Sequence, residues 1–186
     1  MTPKIFRKSI LTVAGFVICF FGMILTSSGQ MHPVTKESGI NFSLRNFGFK
    51  TGGSLAAPEG DILFTPDDLS KSYFRMTIKS ESINTDNNSR DNHLRDEDYF
   101  NVKKYPLIRF ESTIIRAVNK IGNYEAVGTL TIKDKSKEIT LPFKAEKNGN
   151  GYLFTGSFKM NRRDFDVGGS STISNELTVD IKVTVQ

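Results

Sequence analysis

The side chains able to do acid–base, metal or anion chemistry concentrate in one stretch, Arg90-Asp91-Asn92-His93-Leu94-Arg95-Asp96-Glu97-Asp98. A carboxylate close to an imidazole, here Asp91 and His93, offers groups of the kind that general acid–base catalysis uses. A nucleophile is not evident. The Gly168-Gly169-Ser170-Ser171 run lacks the G-x-S-x-G elbow that presents a serine above a sheet, and reads as a loop before the last strand. A weak hydrolase built on Asp91 and His93 therefore stands only as an alternative, with no substrate specified. Metal sites usually draw several His or Cys ligands. This chain has one cysteine, Cys19, and two histidines, His32 and His93. A solvated helix with its cap accounts more simply for Asp91, His93, Asp96, Glu97 and Asp98, so no metal is expected. No P-loop or dinucleotide fingerprint is present.

Two roles fit the charged residues. Arg90 and Asp91 can form an ion pair that fixes a helix start, a common local solution and the favoured one. Alternatively they line, with His93, the polar mouth of a pocket and hold a headgroup. Arg162, in Asn161-Arg162-Arg163-Asp164-Phe165, has the same pair of roles at a strand end.

The elements that must position these residues are strands. From Ile40 onward apolar side chains recur every second position, the mark of a sheet with one dry and one wet face. The clearest runs carry Phe74, Met76 and Ile78; Ile108, Phe110, Ser112 and Ile114; Tyr124 to Ile132; Ile139 to Ala145; Tyr152 to Met160; and Leu177 to Val185. Ile40–Phe49 and a weaker run over Leu55–Phe64 bring the expected number to about eight. Turn-formers such as Asp134-Lys135-Ser136 and Asn148-Gly149-Asn150-Gly151 separate them, which favours antiparallel neighbours. Asn87 to Val102 breaks the period and predicts one or two short helices, capped by Asn88 or Ser89 with Asp91 in the first turn. Such a sheet closes as a barrel or packs as a sandwich. An eight-stranded barrel is either filled by its own side chains or holds one small ligand. The inward set is rich in Phe and Met, and both outcomes fit it.

The first 29 residues differ from the rest. Lys4, Arg7 and Lys8 precede a 16-residue, nearly continuous apolar run, Ile10–Leu25, and Ser27 and Gly29 sit at the −3 and −1 positions of a cleavage site. This predicts a secretory signal peptide over residues 1–29, preferred over a retained anchor because the run is shorter than the roughly 18 residues of a spanning helix. Residues 30–186 then form one domain, exported to the periplasm or secreted. Cys19 lies in the leader, so the domain has no disulfide and relies on its core. The formal charge of +5 includes three basic leader residues, leaving 22 basic against 20 acidic side chains. That balance gives no support for nucleic-acid binding. Oligomeric state is not readable.

The stretch from Ser82 to Ser112 closely resembles the signature of the YceI-like family of bacterial envelope proteins. The residues that carry the resemblance are Thr85, Arg90, Asp91, His93, Leu94, Asp98, Tyr99, Phe100, Tyr105, Pro106, Phe110 and Ser112. Tyr124–Ile132, YEAVGTLTI, and Phe158–Phe165, FKMNRRDF, resemble two further family segments, so the likeness spans the whole domain. It implies an all-β, eight-stranded antiparallel lipocalin-like barrel with one or two short helices near one end. It implies a non-enzymatic protein whose apolar tunnel holds a lipid, a polyisoprenoid of the prenyl quinone or prenyl phosphate type, and no other cofactor. The expected tunnel walls are Phe42, Leu44, Met76, Ile78, Phe110, Leu130, Phe143, Phe154, Phe158 and Ile181. One departure stands out: the chain has Asn46 where many family members carry a histidine. The absence of Trp argues separately against the true lipocalins, which carry one near the start of the first strand. A structural or partner-binding domain with a filled core remains the other alternative.

Overall fold

The computed structural model describes residues 29–119, 121–169 and 173–186. Apart from Gly29, the expected leader lies outside these residues, as do Ser170 and Ser171. The strands are β1 (Gly39–Asn46), β2 (Phe49–Leu55), β3 (Glu59–Leu63), β4 (Tyr73–Lys79), β5 (Leu107–Ala117), β6 (Asn123–Ile132), β7 (Lys135–Asn148), β8 (Gly151–Asn161) and β9 (Ile173–Val185). One α-helix, α1 (Asn88–Arg95), falls between β4 and β5. The strands form a single sheet, with all neighbours antiparallel, in the order β2-β1-β9-β8-β7-β6-β5-β4-β3.

The two edge strands of that order, β2 and β3, are consecutive in the chain and separated only by Ala56-Ala57-Pro58. β2 lies against β1, with Ile40 opposite Leu55, and β3 lies against β4, with Glu59 opposite Thr77. Between these ladders Ser54 and Asn84 exchange backbone hydrogen bonds of 2.7 and 3.0 Å. Ala56 N donates to Ser82 Oγ at 3.1 Å. Together β2 and β3 thus act as one bent strand, joined first to β1 and then to β4 and Asn84. On the free side of β3, Met31 and Ile62 exchange bonds of 2.8 and 3.0 Å. His32 and Val34 continue onto Gln186 and Thr184 at the end of β9. A 3-10 turn, Thr35–Glu37, separates this segment from β1. The sheet therefore curls back on itself as a lipocalin-like barrel. The nine strands follow eight passes of the wall, the second pass being broken at Pro58, which has no N–H to give a ladder.

The sequence signal is weak over β2 because Thr51-Gly52-Gly53-Ser54 has no apolar alternation. A Cβ at Gly52 would stand 2.3 Å from the Phe42 carbonyl oxygen, and one at Gly53 would stand 2.4 Å from that of Asn84. Close backbone approach excludes side chains where the bent strand meets both its neighbours.

The other departures are local. In β5 the register shifts between Ser112 and Ile114, so Ile114, expected inside, is exposed and Ile115 is buried. This β-bulge reverses the alternation by one residue. The helix is capped by Asn87, one residue before the expected Asn88, with its Oδ1 accepting from Arg90 N at 3.0 Å.

One end of the barrel holds the β1–β2 and β6–β7 turns, α1 and the connection from β8 to β9; it is called here the helix end. The opposite end is packed solid. Phe64, Phe74, Tyr124, Phe143, Tyr152 and Phe154 form an aromatic cluster with centroid separations from 5.0 to 6.0 Å. Aromatic pairs in these geometries each contribute about 0.5–1.5 kcal/mol beyond area burial.

Candidate functional site: an apolar cavity

Below the aromatic cluster the inward side chains do not meet. They enclose a cavity of about 240 Å³ whose surface is wholly apolar. All ten expected wall residues line it: Phe42 and Leu44 on β1, Met76 and Ile78 on β4, Phe110 on β5, Leu130 on β6, Phe143 on β7, Phe154 and Phe158 on β8, and Ile181 on β9. Leu130, Phe143 and Phe154 are buried, but the other seven are only half-buried although they face inward. In a filled core those seven would be closed off by neighbours. On β9 the lining includes Ile173, Leu177, Val179, Ile181 and Val183, so the cavity follows about 33 Å of extended chain.

Residues outside the strands also close it. Ile83, Leu94, Tyr99, Phe100 and Val167 line the helix end. Sequence reasoning missed them as walls because they lie where the two-residue period fails. The signal available was their apolar character within an otherwise polar stretch.

The charged candidates have other positions. Asp91 is 4% exposed and does not line the cavity. Its Oδ1 accepts from Thr85 N at 2.9 Å and from Thr85 Oγ1 at 2.5 Å. Arg90 donates through Nε to Thr85 Oγ1 and through Nη2 to Thr85 O, both at 2.7 Å. The expected direct ion pair between Arg90 and Asp91 is absent among the described residues; both side chains close on Thr85 instead. His93 is exposed and packs edge-on against Tyr99, with centroids 4.8 Å apart. It does not line the cavity and makes no hydrogen bond to Asp91 among the described contacts, so the pair is not arranged as a catalytic dyad. Among the described residues no three His, Cys, Asp or Glu side chains converge on a metal-sized site.

Arg162 does line the cavity, but its guanidinium is directed into the β8–β9 connection. It donates to the carbonyls of Val167 at 2.7 Å, Gly168 at 3.1 Å, Ser174 at 3.1 Å and Ile173 at 3.3 Å, and to Asn175 Oδ1 at 3.1 Å. Burial, followed by the like charge of Arg163, draws its pKa below the ordinary guanidinium value. The cavity meets its stem and not its charge. Gly168 is required beside it: φ is +69°, and a Cβ there would stand 2.7 Å from Tyr99 Cε1 and 2.8 Å from Arg162 Nη1.

A curled antiparallel sheet around an apolar cavity defines the lipocalin-like class of fold. Within it, residues 32–185 match the model of the YceI-like domain, and the chain belongs to that family. A UPF0312 protein of Serratia proteamaculans is 30% identical over 170 residues, covering 87% of each chain. Among solved structures, Burkholderia cenocepacia BcnA superposes with a TM-score of 0.78 at 23% identity, over 83% of this chain and 99% of that one. A polyisoprenoid binding domain from Saccharophagus degradans gives a TM-score of 0.69 at 13% identity, over 84% and 97%. At those identities the likeness to the solved structures concerns the fold.

Proposed function

We propose that this protein is a non-enzymatic carrier that sequesters one apolar lipid, of the polyisoprenoid type, in its barrel within the cell envelope. The observation that carries the reading is the cavity itself, wholly apolar and bordered by inward side chains left half-buried. An exposed prenyl tail gains roughly 0.8 kcal/mol per methylene-sized group moved from water into such a lining. Freezing the tail offsets part of that gain. The polyisoprenoid binding domain of Saccharophagus degradans, which shares the fold, supports the ligand class. The carrier needs no cofactor besides its cargo. The test is mass spectrometry of the exported, folded protein, native and after organic extraction. A stoichiometric apolar adduct is expected. A clean ligand-free mass that persists after incubation with prenyl quinones and prenyl phosphates would overturn the proposal.

A further inference from the structure

The most exposed pair of aromatic side chains among the described residues sits at the tip of the β1–β2 hairpin. Phe47 and Phe49 are 72% and 80% exposed. They flank Gly48 in a two-residue turn with φ of 49° at Phe47 and 82° at Gly48. A hairpin turn with two positive φ values favours Asn-Gly, and a bulky side chain at the first position is strained. Folding alone does not select phenylalanine here.

Charge accompanies the aromatics. Arg45 and Lys50 lie directly opposite each other across the hairpin, and neither forms an ion pair among the described residues. Like charges directly opposite each other disfavour a sheet; Arg45 is held there by a hydrogen bond from Nη1 to Gly48 O at 3.2 Å. Both line a polar groove that also holds Lys159 and Glu176, and those two are paired with each other at 2.8 Å.

The tip adjoins the cavity. Leu44 lines both the cavity and the groove and lies three residues, about 10 Å of extended chain, before Phe47. Phe49 pairs with Asn46, so it belongs to the face that carries Leu44 and Phe42, yet it is exposed. It projects past the rim on the cavity side. Beside it the β1–β9 ladder is interrupted: Leu44 faces Leu177, but Asn46 faces Ile173, so β9 spends four residues where β1 spends two.

We propose that the β1–β2 hairpin tip docks the barrel on an anionic lipid surface. Phe47 and Phe49 enter the interfacial layer, where aromatic rings are favoured, and Arg45 and Lys50 meet the anionic headgroups. Docking sets the Leu44 rim against the bilayer, where a lipid tail can enter or leave without crossing water. That last consequence rests on the carrier reading; the docking itself does not.

The experiment is co-sedimentation of the folded domain with vesicles of equal parts phosphatidylglycerol and phosphatidylcholine, and with phosphatidylcholine alone. It compares wild type, Phe47→Asn/Phe49→Ser and Arg45→Gln/Lys50→Gln. Binding of an apolar fluorescent probe and the melting temperature are measured in parallel. Wild type is expected to bind the anionic vesicles, less so at high salt. The aromatic double variant should lose roughly tenfold in partition, with probe binding kept. Its melting temperature should be unchanged or raised, because Asn suits the turn. The charge variant should lose its preference for phosphatidylglycerol. Wild type left in the supernatant, or an aromatic variant that partitions like wild type, would overturn the proposal. So would a concentration-dependent dimer that the aromatic variant abolishes without any vesicle binding. Vesicle binding without probe binding would instead fault the carrier reading and leave docking intact.

Discussion

Thr85 joins the two charged side chains that dominate the central sequence signature. Asp91 takes both its amide and its hydroxyl, and Arg90 binds the hydroxyl and the carbonyl. The network fixes the chain entering α1 against the barrel end. Asp91→Ala strands two donors at a buried site and should cost about 2–3 kcal/mol. The melting temperature should fall by about 4–10 °C, while lipid bound per folded molecule stays unchanged. Loss of lipid from a fully folded variant would return Asp91 to the binding site. The residue types of Arg90, Asp91 and Arg162 were legible in the sequence as important polar groups. Their targets were not, because a guanidinium finds backbone carbonyls through loop geometry that no spacing rule encodes. Arg162 spends its donors on Val167, Gly168, Ile173 and Ser174, all close in sequence and brought round it by the turn at Gly168.

The strands with a clean two-residue period formed as expected, and β3 lies within the weaker run over Leu55–Phe64, whereas β2 and the β5 bulge did not announce themselves. Over β2 the backbones come too close for side chains, and Gly52 and Gly53 erase the hydrophobic pattern; in β5 the alternation from Ile108 to Ile114 reads as unbroken, and the close approach is marked only by a glycine on the facing strand. Opposite the bulge a Cβ at Gly128 would stand 2.3 Å from the Glu111 carbonyl oxygen and 2.6 Å from Ser112 Cα. The segment Met31–Val34 was invisible for a different reason. It is too short for a period to register, yet it links β3 to β9 through five backbone hydrogen bonds. At about 1 kcal/mol each, removing the chain through Val34 should lower stability by roughly 3–5 kcal/mol, read as a reduced denaturation midpoint. Faster amide exchange at Ile62 and Gln186, whose N–H groups this segment binds, should accompany it. An unchanged midpoint would mean that β3 and β9 are sealed without it.

The molecule as a whole is filled at one end and hollow towards the other, and periodicity could give only the inward face. Whether facing side chains meet depends on barrel radius, which strand number and tilt set together. The distinction decides which wall residue tests the cavity. Phe143 is 4% exposed and stacks in the aromatic cluster, so a charge there threatens the fold. Phe158 is half-buried and borders the open part. Phe158→Asp should leave the circular dichroism spectrum intact and reduce lipid retention at least tenfold, since about 1.4 kcal/mol suffices for each factor of ten. Full lipid content in a folded Phe158→Asp protein would place the ligand elsewhere.

The pairing of the first segment with the last strand has a kinetic consequence. Pro33 bridges to Val185, and β1 is held on one side by β9. These contacts span nearly the whole domain, so the wall closes only when the final residues are available. Folding rates fall as contacts become more distant in sequence. A nascent chain therefore carries β1 paired with β2 alone until β9 has been made, with its cavity-facing residues open to water on that side. On the reading proposed above, of a carrier exported to the envelope, that delay is useful: the chain would stay threadable until translocation is complete and acquire its apolar interior only on the far side.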